Sequence, residues 1–152
     1  MDIIFVRHGE TRENKKGVYG SLDTSLSQVG KKQILETKKQ IEKLSFENIY
    51  ISPLKRTVET AEILGVEGNF DERIKEINFG LFQGKTYEEI KKLYPEETTY
   101  WTKDYINYKM PEGESLLDLY NRTVDFLNDR IEEDKDALVV THEGVIICAL
   151  CW

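Results

Sequence analysis

The sequence is poor in the features that cross-link a chain or hold it in a membrane. Only two cysteines occur among its 152 residues, and Cys148 and Cys151 lie too close together to cross-link a domain, so a reducing compartment is predicted. No segment approaches the roughly 20 apolar residues of a membrane span. The first residues show no basic segment or cleavage site of a signal peptide. We therefore expect a cytoplasmic protein without a membrane partner.

Basic residues are the minority, with 21 Lys and Arg against 28 Asp and Glu and a net charge of −7. This balance argues against a nucleic-acid partner, but a local cluster of cations can still bind a small anion. The length suits a single domain over residues 1–152, present as a monomer or homodimer. The apolar run from Val145 to Trp152 predicts that the domain lacks its C-terminal part; the alternative is a buried terminal helix.

Apolar runs alternate with amphipathic segments along the chain. The runs 3–6, 49–51 and 137–140 predict buried parallel strands, and the patterns 27–44, 52–64 and 115–131 predict helices. Ser52 and Pro53 are expected to begin the second of these helices, and Gly65 to end it. The less regular segment from Gly65 to Gly113 predicts a small cap with a helix over 86–93. The fold expected is a three-layer α/β sandwich, with a mainly parallel sheet and helices on both faces.

The chain has only two histidines, His8 and His142, and each directly follows a predicted buried strand. Ligands bind beyond the carboxyl ends of parallel strands, so both imidazoles are expected in one crevice. Arg7 and Arg56 are expected beside them, and guanidinium groups match phosphate oxygens. A neutral imidazole held beside these cations can attack phosphorus. No group of residues has the spacing of metal ligands, so we expect a small phosphorylated metabolite as ligand and neither a metal ion nor another cofactor.

The segment Phe5-Val6-Arg7-His8-Gly9-Glu10-Thr11 resembles the signature of the histidine phosphatase superfamily, also called phosphoglycerate mutase-like. Further blocks follow in the order of that family: Gly20-Ser21-Leu22-Asp23, Ser52-Pro53-Leu54 with Arg56, Glu76 to Gly84, Gly113-Glu114-Ser115 and Val140-Thr141-His142. The resemblance implies phosphomonoester hydrolysis without a metal ion. It also implies that His8 is the nucleophile that becomes phosphohistidine. Glu76 is implied as proton donor to the leaving oxygen and then as the base that activates water.

The resemblance also implies how the phosphoryl group is bound. Arg7, Arg56 and His142 are implied as its ligands, with Asn14 and Ser21 at its edge. His142 is expected to contribute most when it carries a positive charge.

Within the superfamily the chain is most similar to the alpha-ribazole phosphatases, in the segments Gly17–Gly20, Lys85–Ile90 and Pro111–Ser115. This likeness implies alpha-ribazole-5'-phosphate as substrate. The alternatives are a cofactor-dependent phosphoglycerate mutase, a broad sugar-phosphate phosphatase and a non-catalytic module that binds phosphorylated ligands. Two residues depart from the family pattern: Ser25 stands where proline is usual, and Glu143 stands where a second glycine is usual. Its carboxylate is expected either to repel the substrate phosphate or to point away.

Overall fold

The computed structural model describes residues 1–21 and 23–152; Leu22, within the second motif block, lies outside the described residues. Four parallel strands form one sheet: β1 (Ile3–Arg7), β2 (Asn48–Ile51), β3 (Asn69–Phe70) and β4 (Ala137–Thr141). Their order is β1-β4-β2-β3. The three predicted strands are confirmed. The fourth, β3, has only two residues, both exposed, so it carries no apolar pattern that predicts a strand.

Strand β4 lies in the interior of the sheet, and all five of its residues are buried. Successive side chains of a strand point to opposite faces. Val139 accordingly packs in a core cluster with Phe126, whereas Leu138 and Val140 pack in a second cluster with Ile34. Burial on both faces explains why the strand is a continuous apolar run rather than an alternating one.

The described residues form seven α-helices: α1 (Arg12–Lys15), α2 (Gln28–Ile41), α3 (Lys55–Leu64), α4 (Tyr87–Leu93), α5 (Pro95–Lys103), α6 (Leu116–Glu133) and α7 (Glu143–Cys151). The second core cluster contains residues of α2 and α3, and the first contains residues of α6 and α7. Helices therefore cover both faces, and the predicted three-layer α/β sandwich is confirmed.

Several helix ends follow the local sequence, but α2 ends at Ile41 rather than at the predicted Leu44. The Ser27 hydroxyl caps α2, Ser115 forms a capping box at the start of α6, and Gly65 ends α3 with φ of 76°. The predicted start of α3 at Ser52 and Pro53 is wrong, because the helix begins at Lys55. The Ser52 side chain is hydrogen-bonded to His142 instead of capping the helix.

The segment between β3 and α6 forms the predicted cap. It contains two short 3-10 helices, Glu72–Ile74 and Gly80–Phe82, followed by α4 and α5. The cap has its own small core around Phe82, Ile90 and Met110. None of the helices in the described ranges has the length and hydropathy to span a bilayer.

Candidate active site

Both histidines follow directly from adjacent strands of the sheet. Arg7 at the end of β1 pairs with Thr141 at the end of β4, and the next residue of the chain is a histidine in each case. The His8 backbone N–H donates to the Thr141 carbonyl at 3.0 Å. The centroids of the two imidazole rings are 5.2 Å apart. The structure thus brings together two residues 134 positions apart in the chain (142 − 8).

Backbone contacts fix the tautomer of His8. Its Nδ1 lies 2.7 Å from the Gly9 carbonyl oxygen. Because a carbonyl only accepts, Nδ1 must donate, and the lone pair resides on Nε2. Arg56 Nε donates to that Nε2 at 3.3 Å. The lone pair of the ring therefore lies on Nε2, where it accepts a hydrogen bond from the Arg56 guanidinium.

Burial is the main reason why the pKa of His8 falls from 6.5 to about 4. The Gly9 contact opposes this shift, whereas the positive charges of Arg56 and Arg7 add to it. A neutral imidazole at pH 7 is the form that a nucleophile requires.

We expect the imidazole C–H resonances of His8 to titrate with a midpoint near pH 4 in the folded protein. The unfolded chain binds this proton near pH 6.5, so the group favours unfolding as the pH falls from 6.5 to 4, by about 3 kcal/mol. Proton NMR against pH, with His8→Gln to assign the resonance, measures the midpoint. A midpoint near 6.5 would show that the ring is not held in the buried, cation-flanked site.

His142 is fully buried, and its Nε2 lies 2.8 Å from the Ser52 hydroxyl oxygen. Its Nδ1 has no hydrogen-bond partner among the described residues. Burial, followed by the charges of Arg56 and His8, lowers the pKa of His142 well below its ordinary value. Desolvation thus favours the neutral ring in this structure, and the expected contribution of a charged His142 to phosphate binding stays a prediction.

A cavity of about 210 Å³ opens beside His8. Five of the seven predicted site residues line it: Arg7, His8, Asn14, Arg56 and Glu76. The other two, Ser21 and His142, are not among the lining residues. The Ser21 hydroxyl donates to Glu13 at 3.3 Å, and its carbonyl accepts from Arg56 at 3.0 Å. Ser21 therefore supports Arg56, while its predicted contact with phosphate stays a prediction.

Sequence reasoning missed several parts of the cavity wall. Val18, Tyr19 and Phe79 form an apolar side, with the Tyr19 and Phe79 ring centroids 4.8 Å apart. Glu13 contributes a carboxylate that accepts from the Ser21 backbone N–H at 3.0 Å and from the Thr24 hydroxyl. No local pattern distinguishes Glu13 from the other acidic residues of the chain.

Glu76 reaches the cavity from the loop that follows the first 3-10 helix. Its two carboxylate oxygens accept from the Ile77 N–H at 3.0 Å and from the Gly144 N–H at 3.4 Å. A Cβ at position 144 would lie 2.3 Å from Glu76 Oε1. The glycine after Glu143 therefore leaves the space that the Glu76 carboxylate occupies at the start of α7.

Arg122 on α6 holds the Glu76 loop and was not identified from the sequence. Its guanidinium donates, at 2.6 to 3.1 Å, to the carbonyls of Arg73, Lys75 and Glu76. It also donates to both carboxylate oxygens of Glu114, at 2.9 and 3.0 Å. Glu114 in turn accepts from the Asn78 N–H at 2.9 Å. The pair ties both sides of the Glu76 loop to α6.

The chemistry of the cavity is that of an oxyanion site. Two guanidinium groups and a neutral imidazole converge on it, which suits phosphate oxygens. Among the described residues, no group of three or more His, Cys, Asp or Glu side chains is arranged to hold a metal ion. The arrangement can bind a phosphoryl group, and its wall contains both a nucleophile, His8, and a carboxylate, Glu76.

Comparison with known proteins places this geometry in a family. Residues 3–152 match the family model of the histidine phosphatase superfamily, branch 1. Phosphoserine phosphatase 1 from Hydrogenobacter thermophilus is 36% identical over 160 residues, which cover 99% of this chain and 76% of that protein. The 6-phosphofructo-2-kinase/fructose-2,6-bisphosphatase of Gallus gallus is 36% identical over 152 residues. This chain spans about a third (32%) of that relative's length, with 99% of the chain aligned.

The fold likeness extends to solved structures. The alpha-ribazole phosphatase from Shigella flexneri superposes with a TM-score of 0.89 at 24% identity, over 96% of this chain and 76% of that one. The family match covers nearly the whole chain and includes every motif block on which the resemblance depended. The chain therefore belongs to the histidine phosphatase superfamily.

Proposed function

We propose that the chain hydrolyses phosphate monoesters of a small metabolite through a phosphohistidine at His8, without a metal ion. One observation carries this proposal: the lone pair of His8 Nε2 lies beside Arg56 in a cavity whose wall also contains Arg7 and Glu76. Phosphoserine phosphatase 1, of which this chain covers 76% of the length, supports the same class of reaction.

In the first half of the reaction, His8 Nε2 attacks the phosphorus atom. A P–N bond forms while the P–O bond to the alcohol breaks, and Glu76 gives its proton to the leaving oxygen. Arg7 and Arg56 bind the equatorial oxygens, whose charge they stabilise throughout. The Gly9 carbonyl accepts a hydrogen bond from Nδ1–H, so the positive charge of the phosphorylated imidazole develops next to a backbone dipole.

In the second half, water attacks the phosphorus and the P–N bond breaks. Glu76, now a carboxylate, takes the proton of the attacking water. The products are inorganic phosphate and neutral His8, so the protein returns to its starting state.

Alpha-ribazole-5'-phosphate is the substrate that we propose, in the cytoplasm. The segments Gly17–Gly20 and Lys85–Ile90 support it, since they resemble the corresponding segments of the alpha-ribazole phosphatases. Tyr19 and Phe79 place aromatic surface beside the cavity, which suits a leaving group with a ring system. Phosphoserine is a second candidate, favoured by the 36% identity to phosphoserine phosphatase 1.

The test measures free phosphate from a panel of esters, at mildly acidic and neutral pH, with a metal chelator present. We expect release from 4-nitrophenyl phosphate that the chelator does not reduce, and a higher kcat/KM for alpha-ribazole-5'-phosphate than for phosphoserine. Isomerisation of 3-phosphoglycerate without free phosphate would identify a mutase. Binding of inorganic phosphate by the folded protein, with no turnover of any ester, would identify a binding module.

The contacts of Arg122 with the Glu76 loop predict that this arginine positions the Glu76 carboxylate. We expect Arg122→Ala to lower kcat for an alkyl phosphate by about tenfold or more, and kcat for 4-nitrophenyl phosphate much less. Only the alkyl leaving group requires the proton that a well-placed Glu76 supplies. Arg122→Lys should restore part of the loss, and exposed Lys92→Ala on α4 serves as control. Equal losses on both esters would mean that Arg122 stabilises the fold rather than positioning Glu76.

A further inference from the structure

Glu143 lies in the cavity wall and is bound to one of the phosphate-binding cations. Its Oε2 is 2.9 Å from Arg7 Nη2, and both side chains are about half exposed. The residue follows His142 and begins α7, so its backbone is held by the sheet edge that positions the site. The carboxylate thus points toward the phosphate site rather than away from it.

Negative charges outnumber cations at the cavity once a phosphate ester is bound. Besides Glu76, the proton donor of the proposed mechanism, the lining residues include two carboxylates, Glu13 and Glu143, and two arginines, Arg7 and Arg56. A phosphate dianion adds two further negative charges. Among the lining residues in the described part of the chain there is no lysine and no third arginine. No cation therefore faces a second anionic group on a substrate.

One side of the remaining wall is apolar or aromatic, beside the polar side chains of Thr11, Asn14 and Thr24. Val18, Tyr19 and Phe79 form that side. A carboxylate or second phosphate on the leaving group would lose its hydration beside these side chains, in a cavity that also contains the carboxylates of Glu13 and Glu143. Both effects disfavour binding.

On the basis of the proposed function, we propose that Glu143 is a specificity-determining residue that restricts the substrates to phosphate monoesters of uncharged alcohols. Its carboxylate occupies Arg7 until a phosphoryl group displaces it, and it repels esters that carry a further negative charge. Alpha-ribazole-5'-phosphate, the ester of a nucleoside, fits this class. Esters such as 3-phosphoglycerate do not.

The test compares a matched pair of ligands, glycerol 3-phosphate and 3-phosphoglycerate. The first has a hydroxymethyl group at the position where the second has a carboxylate. Dissociation constants are measured by calorimetry with the full chain, and kcat/KM is measured where turnover occurs. We expect the wild-type protein to bind glycerol 3-phosphate at least about tenfold more tightly. Glu143→Gln should reduce this preference by about fivefold or more and strengthen the binding of inorganic phosphate.

Glu132→Gln is the matched control, because it removes the same charge from an exposed site at the last turn of α6. Equal binding of the two esters by the wild type, or the same change in both variants, would overturn the role of Glu143. Calorimetry requires no turnover, so this outcome is distinct from a failure of the proposed hydrolysis. Phosphate binding without any ester cleavage would refute the hydrolysis and leave the charge preference to be judged by the dissociation constants alone.

Discussion

Replacement of His8 by alanine is expected to reduce phosphate release by at least about a thousandfold. The variant lacks the nitrogen that forms the P–N bond, and the lining residues in the described part of the chain include no second imidazole and no thiol. Arg7 and Arg56 remain in the cavity wall, so the variant should still bind inorganic phosphate. A loss in kcat with retained phosphate binding is the expected signature, measured by steady-state kinetics and calorimetry.

His8→Gln is a useful second variant, because it keeps a polar side chain near the Gly9 carbonyl while lacking a nucleophilic imidazole. Both variants should show a circular dichroism spectrum like that of the wild type. If either variant keeps more than a small fraction of the activity while folded, His8 is not the nucleophile.

The second large effect concerns Glu76. We expect Glu76→Gln to lower kcat for an alkyl phosphate by about a hundredfold or more, because a carboxamide cannot give a proton to the leaving oxygen. Esters of 4-nitrophenol have a leaving group that departs as an anion, so their rate of phosphorylation of His8 should change far less. Steady-state and burst kinetics on the two esters separate this step from hydrolysis of the phosphohistidine.

Glu72→Gln is the control for this experiment, since Glu72 is exposed and belongs to the 3-10 helix that precedes the same loop. It should leave both esters unaffected. A similar fall in the phosphorylation rate for both esters in Glu76→Gln would contradict the proton-donor role and indicate that Glu76 acts on binding.

The strands that position the two histidines were predictable, because buried strands have a recognisable run of apolar residues in the sequence. A parallel strand covered on both faces is apolar at successive positions, and this fixed β1 and β4 and hence the positions of the two histidines. The prediction that Ser52 caps α3 was wrong, because local sequence does not reveal tertiary contacts. Its local context, a serine before Pro53, favours a helix cap, but a contact with His142, 90 positions away, takes the hydroxyl instead.

Other parts of the site depend wholly on tertiary contacts. Arg122 lies on an amphipathic helix where an arginine is an ordinary surface residue, and its role comes from carbonyls of a distant loop. The orientation of the Glu143 side chain could not be predicted from sequence alone, because a carboxylate after His142 can point into the cavity or away from it. Its ion pair with Arg7 decides between these orientations, since the charge of Arg7 draws the carboxylate to the cavity wall.

Trapping the phosphorylated protein tests most directly whether His8 carries the phosphoryl group. The chain is mixed with an ester, quenched with alkali within the first turnovers, and digested for mass spectrometry. We expect a phosphoryl group that is stable to alkali and labile to acid, on the peptide that contains His8 and not on the one that contains His142. Active turnover with the phosphoryl group on another residue, or with none on any peptide, would contradict it.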